Sequence, residues 1–99
     1  MMKLHFEWDE EKDRQNIAKH GIGFELACRI FEGPVFTWTN ERKDYGEIRQ
    51  ISIGVVEEVA FLTVAHTDRL GITRIIFARP ASRKERNRYE QAVQENDER

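Results

Sequence analysis

Residues 59–65 are apolar apart from Thr63, so an extended chain here has no polar face to turn toward water. Such a strand must be covered on both sides, which puts it in the middle of a sheet. Asp68 to Gly71 reads as a turn, and residues 72–78 form a second strand beside the first, apolar except for Thr73 and Arg74. Upstream, Ile48, Gln50 and Ser52 alternate with Arg49, Ile51 and Ile53, a two-residue period that ends at Gly54. Glu57 and Glu58 read as the hairpin turn into the central strand. Three successive strands with short connections predict an antiparallel meander.

The N-terminal third has a helical grammar instead. A short strand over 5–8, with Phe6 and Trp8 on one face, leads to Asp9, an expected N-cap followed by two glutamates that suit the positive end of a helix dipole. The helix is predicted to end near His20 with Gly21 as its cap. Ile17 and Ala18 are its clearest apolar residues, so it should lie on the surface. Lys12, Asn16 and Lys19 or His20 share one of its faces. Phe24, Ala27, Cys28 and Phe31 then mark the buried stripe of a second helix that Gly33 and Pro34 terminate. Cys28 on that stripe reads as core filler, with nothing nearby to activate its thiol.

A short strand over 35–39 and a polar loop over 40–46 precede the meander. Pro80 is expected to stop the last strand. Ser82 and Glu85 then have the spacing of a capping box that opens a C-terminal helix. Tyr89, Ala92 and Val93 would form its inward face, and residues 96–99 should fray. The order β-α-α-β-β-β-β-α describes an α+β domain, with the helices expected on one side of a largely antiparallel sheet.

At 99 residues the chain suits one domain, here taken as 1–99. No apolar run approaches the length of a membrane span, no signal-peptide pattern opens the sequence, and the single cysteine excludes an internal disulfide. A soluble cytoplasmic protein is the expectation. The net charge of −2 does not suggest a nucleic-acid binder, but its distribution is uneven. Between His66 and Glu90 seven basic residues face three acids, a local +4 that leaves −6 for the remainder. That asymmetry fits either a phosphate-binding face or a solvated helix with ordinary ion pairs.

His66, at the end of the central strand, is the first candidate for proton transfer. If Arg74 projects from the same face, its charge makes His66 harder to protonate, as suits a general base; register decides this. Otherwise His66 is a residue satisfying local hydrogen bonds and Arg74 a side chain reaching solvent. Arg79, Arg83 and Arg86 offer guanidinium forks for phosphate, and Tyr89 lies one turn beyond Arg86. No metal-ligand spacing and no glycine-rich phosphate loop is present, so any catalysis is expected to use side chains alone, without cofactors.

Phe6, Glu7, Trp8 and Asp9, followed by Lys12, Asn16, Lys19, His20, Gly21 and Phe24, resemble the opening signature of the BrnT toxins. His66 to Arg69, Arg74 to Ile76, Ala78 with Arg79, and the spacing from Glu85 to Tyr89 resemble its closing signature. The likeness spans about residues 6–90. It implies a RelE-like ribonuclease fold and the toxin of a type II toxin–antitoxin pair, a metal-independent endoribonuclease that cleaves RNA and arrests translation. The implied partner is a BrnA-like ribbon-helix-helix antitoxin, with operator DNA bound only through the complex. Mapped onto this chain, His66, Arg69, Arg74, Arg79 and Tyr89 are the catalytic candidates, and Lys19, His20, Arg83 and Arg86 the RNA-binding ones. The alternative is a non-catalytic module that acts as co-repressor with its antitoxin.

Overall fold

The computed structural model describes residues 5–40 and 48–97, with side chains described through Glu95. The polar loop expected over 40–46 falls almost wholly outside these residues, as do 98–99 of the expected frayed tail. Strand β1 (Phe6–Glu7) leads into helix α1 (Glu10–His20), a short helix α2 (Phe24–Ala27) and a 3₁₀ turn (Cys28–Glu32). Strands β2 (Phe36–Asn40), β3 (Arg49–Val56), β4 (Ala60–Arg69) and β5 (Ile72–Pro80) follow, then helix α3 (Arg83–Asp97). They form one sheet in the order β1-β5-β4-β3-β2. Every pairing is antiparallel except that of β1 with β5. The expected α+β order is observed, and the apolar run of β4 takes the central position.

Local chemistry explains the elements. Asp9 accepts hydrogen bonds from the Glu11 and Lys12 amides, and Gly21 closes α1 at φ 72°. Helix α2 has no side-chain cap of its own; Asp13 of α1 accepts from the Phe24 amide at 2.7 Å and supplies one. The expected second helix is only one turn of α-helix that tightens into the 3₁₀ turn. That turn sits so close to β3 that a Cβ on Gly54 would lie 2.7 Å from Ile30 Cβ. At α3, the Glu85 amide donates to Ser82 Oγ (3.2 Å) and the Ser82 amide to Glu85 Oε1 (2.9 Å), closing the capping box.

Pro80 ends β5 as expected: its pairing with Leu62 is the last of the ladder, and one further bond, from the Ala81 amide to Phe61 O at 2.9 Å, follows it. Pro80 has no N–H to satisfy, and among the described residues no strand pairs with that end of β5 on its outer side. One expectation is corrected: the helices do not share one side of the sheet. Leu62 and Val64 of β4 join Phe24, Ala27 and Ile30 in the main core, together with Ile22, Val56, Ile75 and Ala78. The alternate residues Phe61 and Thr63 meet Tyr89 and Glu85 of α3 instead. Because successive side chains leave opposite faces of a strand, α3 covers the face opposite α2.

Helix α1 lies along the outer edge of β5, held there by a polar side chain. Only Asn16 of its residues is buried, whereas Ile17 is 48% exposed. Asn16 Nδ2 donates to the carbonyls of Ile22 and Ala78, each at 2.8 Å, and its Oδ1 accepts from the Ala78 amide at 3.2 Å. The carboxamide thus satisfies both outward-facing backbone groups of Ala78, as a neighbouring strand would. β1 reaches only Thr73 and Arg74 of β5, which leaves the rest of that edge to α1.

A basic groove between α1 and β5 as the candidate active site

The register of β4 with β5 places every candidate on these strands. Ala65 pairs with Phe77 and His66 with Ile75, so Ile76 is an extra residue on β5 at a bulge. Thr67, not His66, pairs with Arg74. His66 and Arg74 therefore leave opposite faces of the sheet, and the proposed proximity of the two is not observed.

His66 belongs to the face covered by α2 and the 3₁₀ turn. It is 6% exposed, with the Phe31 ring edge-on at 5.1 Å and Nε2 2.7 Å from Ser52 Oγ. Ser52 Oγ lies 2.7 Å from Thr37 Oγ1, which completes a three-residue chain across β4, β3 and β2. Burial alone, without a cationic neighbour, pushes the imidazole pKa down to about 4. Below pH 6.5 the unfolded chain takes up a proton that the folded His66 refuses until about pH 4. Stability due to this group is complete above pH 6.5 and declines as pH falls. Urea unfolding should lose about 2–3 kcal/mol between pH 7.5 and pH 4.5, and a His66→Gln variant should lose much less over that interval.

Arg74 leaves the opposite face, 3.6 Å from Glu7. Arg79, across from Thr63, is on that face as well. Its two terminal nitrogens grip Glu85 at 2.7 and 2.8 Å, and Glu85 also accepts from Thr63 Oγ1 at 3.1 Å. The Arg79 fork, with the Ser82 amide, holds the Glu85 carboxyl down at about 2. Tyr89 is packed edge-on to Phe61, its hydroxyl donating to Pro34 O at 3.2 Å. Burial raises its pKa. Arg86 stacks over Phe61 and pairs with Glu90 at 2.9 Å. With Arg83 it borders a separate hollow along α3. Arg69 ends β4 beside the hairpin tip, exposed. Cys28 is part-buried, its thiol pushed up to about 12 by desolvation, which keeps it unreactive.

The candidates are thus dispersed, but one groove gathers several of them. Lys12, Gln15, Asn16, Lys19 and His20 of α1 face Ile76, Phe77 and Arg79 of β5 around a space of about 510 Å³. Residues 12, 15, 16 and 19 follow the helical i, i+3, i+4, i+7 pattern, so one face of α1 forms a wall. The bulge turns the consecutive Ile76 and Phe77 into the opposite wall. Among the described residues no Asp or Glu lines this groove, in a chain whose formal charge is negative. Lys12 and Lys19 make no ion pair among the described residues, so their charge is available to a ligand.

Sequence reasoning had Lys19, His20 and Arg79 as site residues, and Lys12 and Asn16 only as a shared face. It missed Gln15, Ile76 and Phe77. The helical period carried a signal for Gln15; nothing in the sequence marked the bulge.

The family described as the ribonuclease toxin BrnT of type II toxin–antitoxin systems matches residues 8–85. A 1.1 Å crystal structure of the ribonuclease toxin BrnT from Brucella abortus is similar to this one, with a TM-score of 0.58 and 26% identity. The similarity covers 82% of this chain and 100% of that one. No curated protein sequence matches. With most of its length inside the family match and the same fold as a solved member, this chain belongs to the BrnT family of ribonuclease toxins of type II toxin–antitoxin systems.

Proposed function

We propose that the protein is an endoribonuclease toxin whose active site is the groove between α1 and β5. The observation that carries this reading is a groove lined by Lys12, Lys19 and His20 with no carboxylate among its described lining residues, Arg79 at its border being paired with Glu85. Phosphate contacts of this type dominate affinity for nucleic acid. In the proposed reaction the ribose 2'-oxygen attacks the adjacent phosphorus and the bond from phosphorus to the 5'-oxygen breaks. His20 takes the 2'-hydroxyl proton, and water protonates the departing 5'-oxygen. Lys12 and Lys19 offset the charge that builds on the phosphate, while Arg79 stays paired with Glu85 at the end of the groove.

We assign proton transfer to His20 rather than to His66. His66 is enclosed on the opposite side of the sheet, and its hydrogen bond goes to the fully buried Ser52. Arg74 lies on the same sheet face as Arg79, paired with Glu7. The inhibitory partner is proposed to be a BrnA-like ribbon-helix-helix antitoxin, operator DNA being reached only through that complex.

The test is incubation of purified protein with RNA, followed by analysis of the product ends. The account expects 2',3'-cyclic phosphate and 5'-hydroxyl termini from the wild type. It expects a loss of cleavage in Lys12→Gln/Lys19→Gln, since two of the phosphate contacts are gone. Intact RNA with wild-type protein, and unimpaired growth on its expression, would favour the non-catalytic co-repressor.

A further inference from the structure

We infer that the groove selects single-stranded RNA by stacking an unpaired base on Phe77, an inference that rests on the groove being the RNA site. Phe77 is a strand residue that an unbroken ladder would alternate with Ile76, one to each face. The bulge opposite Ala65 and His66 breaks that alternation and leaves both side chains on the groove. Phe77 is part-buried and lines the groove.

The cations stand where a strand stacked on that ring would need them. Asn16 pins the middle of α1 against Ala78, the residue next to Phe77. Lys12 lies about one turn before Asn16 and Lys19 about one turn after it, so the two lysines leave the helix roughly 10 Å apart along its axis, both on the groove. Arg79, two residues beyond Phe77 on the same strand face, is held by Glu85, so the two lysines are the cations left for the strand. An aromatic wall between separated cations is how backbone-tracking sites hold single strands, because every base has a π-face to stack. A duplex keeps its bases paired inside a rigid A-form helix and has none to offer. The paired apolar residues Ile76 and Phe77 would serve no purpose against a phosphate alone.

The experiment measures binding of the full chain to a fluorescein-labelled 2'-O-methyl RNA 12-mer, which has no 2'-hydroxyl to attack, and to a duplex of the same sequence. The wild type should prefer the single strand. Phe77→Leu should weaken single-strand binding roughly 10- to 100-fold and leave duplex binding unchanged, while Phe77→Trp should restore it. Phe77→Trp also gives a readout that does not depend on the leucine variant folding: its added fluorescence, over that of Trp8 and Trp38 in the wild type, should be quenched by the single strand. Wild-type affinity in Phe77→Leu, or no added quenching in Phe77→Trp, overturns the stacking inference. If Lys12→Gln/Lys19→Gln has lost affinity in that case, the groove is still the RNA site. Undiminished binding by that double variant instead removes the groove reading and this inference with it.

Discussion

Replacing His20 by alanine should lower the rate of RNA cleavage by roughly 10²- to 10⁴-fold, the contribution typical of a positioned proton-transfer group, while leaving the fold intact. The side chain lines the groove at the end of α1 and makes no hydrogen bond among the described residues, so little structure depends on it. His66→Ala should behave in the opposite way. It leaves Ser52 Oγ without its buried partner and opens space beneath Phe31, so it should lower the unfolding midpoint more than His20→Ala does. Single-turnover cleavage and urea unfolding on the two variants separate these roles. A His20→Ala enzyme cleaving at the wild-type rate would leave the groove without its proton acceptor.

The largest loss of stability from a polar substitution is expected at Asn16→Ala. One side chain makes three buried hydrogen bonds, to Ile22 O, Ala78 O and the Ala78 amide. Each backbone group left unpaired costs about 1–3 kcal/mol, and partial entry of water at the opened edge offsets some of that. A net loss of about 3 kcal/mol is expected, which lowers the melting temperature of a domain this size by roughly 12–24 °C. Asn16→Asp should not rescue it. A carboxylate still accepts from the Ala78 amide but turns an oxygen toward two carbonyls that need a donor. Since Asn16 also sets α1 against β5, RNA cleavage should fall even below the melting transition. Thermal denaturation by circular dichroism, with cleavage measured at low temperature, checks both parts.

The fold was legible in the sequence where one local rule governs one element. The apolar run around Leu62 and Val64 required a central strand, Asp9 and Gly21 bracketed α1, and Ser82 with Glu85 opened α3. The wall of the groove was half legible too, since Lys12, Asn16 and Lys19 share a face at any helical register. Properties set by pairing between elements were not. Whether Arg74 meets His66 depends on a register that the bulge at Ile76 shifts, and a single extra residue leaves no compositional trace. The bulge also brought Ile76 to the groove beside Phe77. Asn16 looked like one more surface amide because its partners lie on Ile22 and on a strand 62 residues away. The capping box correctly announced a helix but not that Glu85 would grip Arg79 on the other face of the sheet from α2.

The most direct test of the central claim is a titration of ¹⁵N-labelled wild-type protein with the same 2'-O-methyl RNA 12-mer, following backbone amide shifts. The account predicts perturbations concentrated on residues 12–20 and 76–79, with amides near Ser52, His66 and Phe31 little changed. Shifts concentrated around His66 and Phe31, or along α3 at Arg83 and Arg86, with α1 unperturbed, would contradict it and place the RNA elsewhere on the molecule.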